Sequence, residues 1–379
     1  MAPKLKNQTN YTNVILLLGL ILVSAYLYNR YQSKQDRLSM TDNYDPIIKY
    51  LLNESDLGDV KKPILWIPVH YDYNSRNWIS FGSRSSYDLN QPYLYLTVRS
   101  IIAQCSKSFH ICLIDDNALS KLIPDWRINM SKVSGSTIEY ARQLGIAKIL
   151  YKYGGLVVPP SFVCMQDLID LYQMAENNNK MIICETINRN ITSTTSEFFP
   201  NMNFMGAPKE CEVVGELVDF IQRTMKKDYT AQSEFLGEFD RWCEYRVRKN
   251  KIIKVSGKLI GTKDINDKMV LLDDLMSNEY IDFYSGAYGI YIPADEVLSR
   301  THYEWFARMS QEQVLESRVI ICKYILLATA PDAKMGVIEP LKNRPEWVGF
   351  WKVPSGAPNY GLKPEFLPDN TQKIPYPYN

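Results

Sequence analysis

The sequence predicts an α/β domain built on a largely parallel sheet, and three observations carry that reading. Short apolar runs recur at residues 63–70, 110–114 and 156–158, the kind of run found in strands buried on both faces. Segments with helical spacing separate them, at 90–103 and 136–153. Gly154-Gly155 follows the second of these directly, where a helix C-terminus meets the start of a strand. Alternation of this kind implies parallel strands joined by helical crossovers.

Taken in order, residues 1–12 are a polar N-terminus and 13–29 read as a transmembrane anchor. Val14 to Leu27 carries no charge, and Tyr11 and Tyr31 bracket it, about 20 residues or about 30 Å of helix. Two other readings stand beside the anchor. Lys4 and Lys6 with Val23-Ser24-Ala25 also suit a cleaved signal peptide, although the apolar run continues past that point. A buried soluble helix is the third. The flanking charges nearly tie, with a slight lean toward a cytoplasmic C-terminal domain, so the side of the membrane stays open. Were the domain lumenal, the sequons at Asn53, Asn129 and Asn190 would be acceptors.

Residues 30–60 read as a stalk with a short helix near Asp45 to Leu52. The α/β domain occupies 61–345. Its later elements are a strand at 180–185, helices at 212–225 and 232–248, short strands near Ile252, Met269 and Tyr288, and a final helix at 318–328. From 346 to 379 the chain changes character: Pro354, Pro358, Pro364, Pro368, Pro375 and Pro377 exclude a helix. That tail is expected to be extended, packing over the domain or docking on a protein partner.

Composition excludes some functions. Lys+Arg (43) and Asp+Glu (42) nearly cancel, which gives no electrostatic reason to expect a nucleic-acid partner. Three histidines and no C-x-x-C argue against a structural zinc site. Cys112, Cys184 and Cys322 lie in apolar runs and read as buried thiols, and the odd cysteine count argues against a complete disulfide framework.

The stretch Tyr140 to Leu168, YARQLGIAKILYKYGGLVVPPSFVCMQDL, resembles the glycosyltransferases that carry a DxD sugar-binding region. Tyr153-Gly154-Gly155 matches the family's helix end, Leu156 to Val158 its strand, and Asp167-Leu168 the pair that follows. Asn203 to Pro208 is similar to its Asn-x-x-x-x-Ala-Pro segment, one residue short. The resemblance implies a GT-A-like fold over residues 60 to 300 and a nucleotide-sugar donor. The departures bear on activity. Pro159 and Ser161 stand where two carboxylates would grip a divalent cation, and Gln143 and Ile146 stand where the family has an acid and an arginine. No resident metal is therefore expected, and no cofactor beyond a sugar donor if the chain is active.

The candidate site residues follow from these placements. Asp115 and Asp116 end a strand where ligands bind in open α/β sheets, although turning and capping the chain is the ordinary role there. Asp116, Glu185 and Asp240 are the candidate catalytic bases, with Glu238 close by. Asp115, Arg142, Gly154, Gly155 and Ser161 are candidate donor-binding residues, and Arg142 or Lys148 could replace the cation's charge. A lone His70 after the first strand is more often structural. Three functions remain open: a catalytically dead scaffold, a metal-independent transferase, and a module that binds glycans or nucleotide sugars without turnover. The donor, the acceptor and the oligomeric state are not legible.

Overall fold

The computed structural model describes Tyr28 and residues 62–70, 91–133, 136–227 and 237–329. The chain divides into two compact units, 1–51 and 52–379, and the architecture below is that of the second. The predicted span, apart from Tyr28, lies outside the described residues, as do the stalk and the Pro-rich tail. Among the described residues no helix is long and apolar enough to cross a membrane.

The order of elements is β1 (Ile64–Pro68), α1 (Pro92–Cys105), β2 (His110–Ile114), α2 (Ala118–Leu122), α3 (Ser136–Tyr153), β3 (Gly155–Val157) and β4 (Phe162–Cys164). Next come α4 (Ile169–Asn178), β5 (Met181–Ile187), β6 (Phe198–Ala207), α5 (Glu212–Lys227), α6 (Glu238–Arg248) and β7 (Ile252–Val255). The chain continues with α7 (Leu272–Leu275), β8 (Gly289–Tyr291), α8 (Ala294–Ser299), α9 (Glu304–Ala307), α10 (Gln311–Glu316) and α11 (Ile320–Thr329).

The main sheet has the order β2-β1-β3-β6-β5-β7, and β4 pairs with β8 in a small second sheet. β1 runs parallel to β2 and β3, and β5 parallel to β7. Only β6 opposes its neighbours β3 and β5, so the expectation of a largely parallel sheet holds. The α/β alternation is as expected. The strand expected near Met269 is only an isolated bridge from Lys263 to Met269.

β1 shows how sequence becomes position. Leu65, Trp66 and Ile67 are fully buried, so both faces of the strand are covered. Ile64 and Trp66 share a core with Ala141, Ile149 and Leu150 of α3, while Leu65 and Ile67 alternate to the opposite face. The Trp66 indole N–H donates to the Gly154 carbonyl at 2.8 Å, and its ring lies 5.8 Å from that of Tyr153. α3 ends at Gly154, whose φ of +69° makes the left-handed cap. Gly155 follows at φ +109°, where a Cβ would lie 2.2 Å from the Ile64 carbonyl oxygen. The double glycine lets β3 approach β1 and aims the next residues beyond the sheet.

Because β1 has β2 on one side and β3 on the other, the strand order reverses at β1. A crevice at the carboxyl ends of the strands is the physical consequence.

Candidate functional site

Two adjoining cavities lie along that crevice. The first, about 160 Å³, is lined by Pro68 and His70 beyond β1, by Arg142 and Gln143 on α3, and by Pro159 and Ser161 beyond β3. The second, about 470 Å³, lies against β6, α6 and α8. Glu139, Gln143, Asn203, Tyr291 and Asp295 line both, so the two form one cleft.

At its β1–β2 end is a compact charged group. Arg142 Nε and Nη2 donate to the two carboxylate oxygens of Asp116 at 3.0 and 2.9 Å, and Nη1 donates to Glu139 at 2.6 Å. This two-pronged geometry suits a guanidinium and a carboxylate. His70 Nδ1 lies 3.7 Å from Asp116. Burial lowers the His70 pKa, and the Arg142 charge adds to that against the opposing pull of Asp116 and Glu139. At neutral pH the group carries more negative than positive charge. Asp116 is thus held by Arg142, and Arg142 is neutralised before any phosphate arrives.

Asp115 has a different role: its Oδ1 accepts the Ala118 N–H at 2.8 Å and caps α2. Gly154 and Gly155 shape the backbone beneath the cleft. Lys148 lies outside the lining of both cavities.

The Pro159-Pro160-Ser161 segment is locked in place. The Pro160 carbonyl accepts from Thr97 at 2.5 Å. The Ser161 hydroxyl, 2% exposed, donates to the Ile292 carbonyl at 2.7 Å. Proline has no side-chain ligand, and the serine oxygen is already engaged in the core. These residues do not fit a donor-bound divalent cation. Among the described residues no other group of three or more His, Cys, Asp or Glu side chains is arranged to hold one.

Glu185 does not line the cleft. Alternation along β5 turns it away from Thr186, which does. Its carboxylate is buried, bonds Lys263, accepts the Gly257 N–H at 3.0 Å and lies 3.3 Å from Lys254. Burial alone would raise its pKa, but the Lys263 bond, the Gly257 N–H and the two ammonium charges hold it below the usual carboxylate range. Glu185 is a structural anchor between β5, β7 and the loop after β7.

Asp240 is the candidate base that the fold brings into the cleft. It lies in the first turn of α6 and lines the larger cavity with Glu238. Enclosure by protein raises its pKa to about 7, against the lowering effects of a backbone hydrogen bond from Met202 and the Arg241 charge. Asp240 as a residue is half-buried. Facing it, burial and the nearby acids Asp295, Glu296 and Asp240 raise the Tyr291 phenol.

Asn203, from the segment similar to the family's Asn-x-x-x-x-Ala-Pro, and several residues that sequence reasoning passed over complete the larger cavity. Asn188, Asn201, Asn203, Thr186 and Thr262 supply amides and hydroxyls, and Tyr291, Asp295 and Glu296 close the far wall. The one local signal was the pair of asparagines within the apolar stretch 198–207. Asn190, expected as a sequon, is 7% exposed, and its Oδ1 accepts from the Thr192 N–H and hydroxyl. Buried and bonded, it is not an acceptor in the folded chain. Asn129 is exposed, and Asn53 lies outside the described residues.

No family model matches the chain, and no curated protein matches it. Solved structures do. The apo-form glycosyltransferase GlyE of Streptococcus pneumoniae aligns at TM-score 0.30 and 13% identity, over 52% of this chain and 46% of that one. The chain therefore spans about half the length of GlyE. The galactosyltransferase LgtC, in complex with donor and acceptor sugar analogs, aligns at 0.29 and 10%, over 52% and 75%. The 4-diphosphocytidyl-2C-methyl-D-erythritol synthase of Anaerococcus prevotii aligns at 0.27 and 14%, over 55% and 90%. Likenesses of this extent leave chemistry open, and the functional reading rests on this chain's own residues.

Proposed function

We propose that the chain is a glycosyltransferase-like protein of the GT-A type, tethered by residues 13–29, whose cleft binds an uncharged glycan without the family's metal-gripped donor chemistry. The carrying observation is the lining of the larger cavity. Asn203, which is exposed, and Gln143 bring side-chain amides among the carboxylates of Glu139, Glu238 and Asp295, while Asn188, Asn201, Thr186 and Thr262, bonded to one another and to the backbone, form the wall that holds them. A sugar presents many hydroxyls, each a donor and an acceptor, and such a mixture of side chains meets both needs. The volume, about 470 Å³, lies in the range of small-ligand sites. The cleft also suits a neutral ligand better than a diphosphate. Its arginines, Arg142 and Arg189, are already paired with Asp116, Glu139 and Glu296.

A second reading has one observation of its own. Asp240, with a pKa of about 7, has the acidity of a general base working near neutrality. In that reading an acceptor hydroxyl gives its proton to Asp240 as its oxygen attacks the anomeric carbon. The bond to the donor diphosphate breaks, and its electrons leave with the diphosphate. The Pro-rich tail is the candidate contact for a protein partner in either reading.

Calorimetric titration of the chain with a panel of neutral oligosaccharides, and with UDP- and GDP-sugars with and without Mn²⁺, tests the proposal. Heat with a neutral glycan and none with any nucleotide sugar is the expected result. Metal-independent binding of a nucleotide sugar, with turnover abolished by Asp240→Asn, would establish the second reading instead.

A further inference from the structure

Two of the seven cysteines meet in the core. Cys105 closes α1 and Cys164 closes β4, and their Sγ atoms lie 3.9 Å apart with both residues fully buried. The surrounding bonds hold the two backbones in register. Thr97 donates to the Pro160 carbonyl at 2.5 Å, the Cys164 N–H donates to Ser100 Oγ at 2.9 Å, and Ser108 bonds Asp167. The thiols thus face each other across a seam that is pinned on both sides. A disulfide needs the sulfurs about 2 Å closer, a distance two side-chain rotations can share.

We propose that Cys105 and Cys164 are an oxidation site, forming a disulfide that staples α1 to β4 when the chain folds in contact with a small-molecule disulfide such as oxidised glutathione. One cysteine thiolate attacks the glutathione disulfide and releases one glutathione thiol. The second cysteine thiolate then attacks the mixed disulfide and releases the other. The protein loses two protons and two electrons, and the oxidant takes them up as two thiols. Burial, the neighbouring Cys105 and the Asp167 charge keep the Cys164 thiol protonated once the seam has packed. The exchange therefore belongs to the folding chain. The staple spans residues 106–163, including α3, and fixes β4 directly beyond the Pro159–Ser161 segment at the cleft.

The chain of residues 1–379, refolded in detergent across glutathione buffers from reduced to oxidised, provides the test. Thiols are blocked, the protein is digested without reductant, and the peptides are read by mass spectrometry. The expected result is a cross-linked pair joining Cys105 to Cys164, with a Tm about 5–10 °C higher in the oxidised form. Cys105→Ala and Cys164→Ala should each lose the cross-link and the redox dependence of Tm. Alkylation of both thiols in the most oxidising buffer, or cross-links that join other cysteines, would overturn the proposal. Should either variant fail to fold, the wild-type peptide map decides alone.

Discussion

Glu185 keeps its negative charge where little water reaches it, because Lys263, Lys254 and the Gly257 N–H supply what water would. Replacing it with alanine leaves the Lys263 ammonium, only 14% exposed, without its partner. Breaking a buried pair from one side costs about 3–5 kcal/mol. Glu185→Ala should therefore lower the urea midpoint strongly, and a wild-type midpoint would show the pair to be idle. The sign of the pH effect follows from the lowered pKa. The carboxylate contributes stability above its unfolded pKa, near 4.3, and that contribution disappears as pH falls through the folded value. Asp240 runs the opposite way. Its pKa rises from 3.8 to about 7 on folding, so the folded chain binds the extra proton and stability falls between about pH 4 and 7. Asp240→Asn mimics the protonated carboxyl and removes that loss. Its Tm relative to wild type should rise from pH 5 to pH 8, and a constant difference would refute the raised pKa.

At the scale of elements, the turn from α3 into β3 governs the site. Gly155 has a φ of +109°, and a Cβ there would meet the Ile64 carbonyl oxygen at 2.2 Å. Neither the backbone angle nor the contact can be relieved without moving β3 away from β1. Gly155→Ala should cost about 3 kcal/mol or more, seen as a lower urea midpoint, with the first cavity disturbed as well. The same turn was legible in the sequence because glycine is required there, and α3 occupies the predicted range. β6 was not legible. Pro200 and the asparagines break its apolar pattern; Pro200 and Asn201 still pair with Glu185 and Cys184, and the register shift falls on residues 202–204, which include Asn203. Of the candidate bases, Asp240 reached the cleft and Glu185 did not, because each depended on partners distant in sequence. Lys263, which holds Glu185, is 78 residues away. Arg142 looked free as a phosphate grip because its partner Asp116, 26 residues earlier, comes beside it only when β2 packs against α3.

At the scale of the molecule, a nearly neutral chain has an acidic cleft. Glu139, Glu238, Asp240, Asp295 and Glu296 line it against Arg142 and Arg189. Both arginines are engaged by carboxylates, so the field that a ligand meets is negative. A diphosphate with no cation would enter against that field, whereas a neutral glycan would be indifferent to it. Salt separates the two cases, because the screening length falls from about 10 Å at 0.1 M to about 3 Å at 1 M. Affinity for a neutral oligosaccharide should change less than about twofold between those salts. Any weak binding of UDP-sugars should strengthen several-fold as the repulsion is screened. Titration calorimetry at both salts measures this directly. UDP-sugar binding that is tight at 0.1 M and weakens at 1 M would mean that a cationic donor site exists in the cleft. The reading of a neutral-glycan site would then give way to that of a transferase.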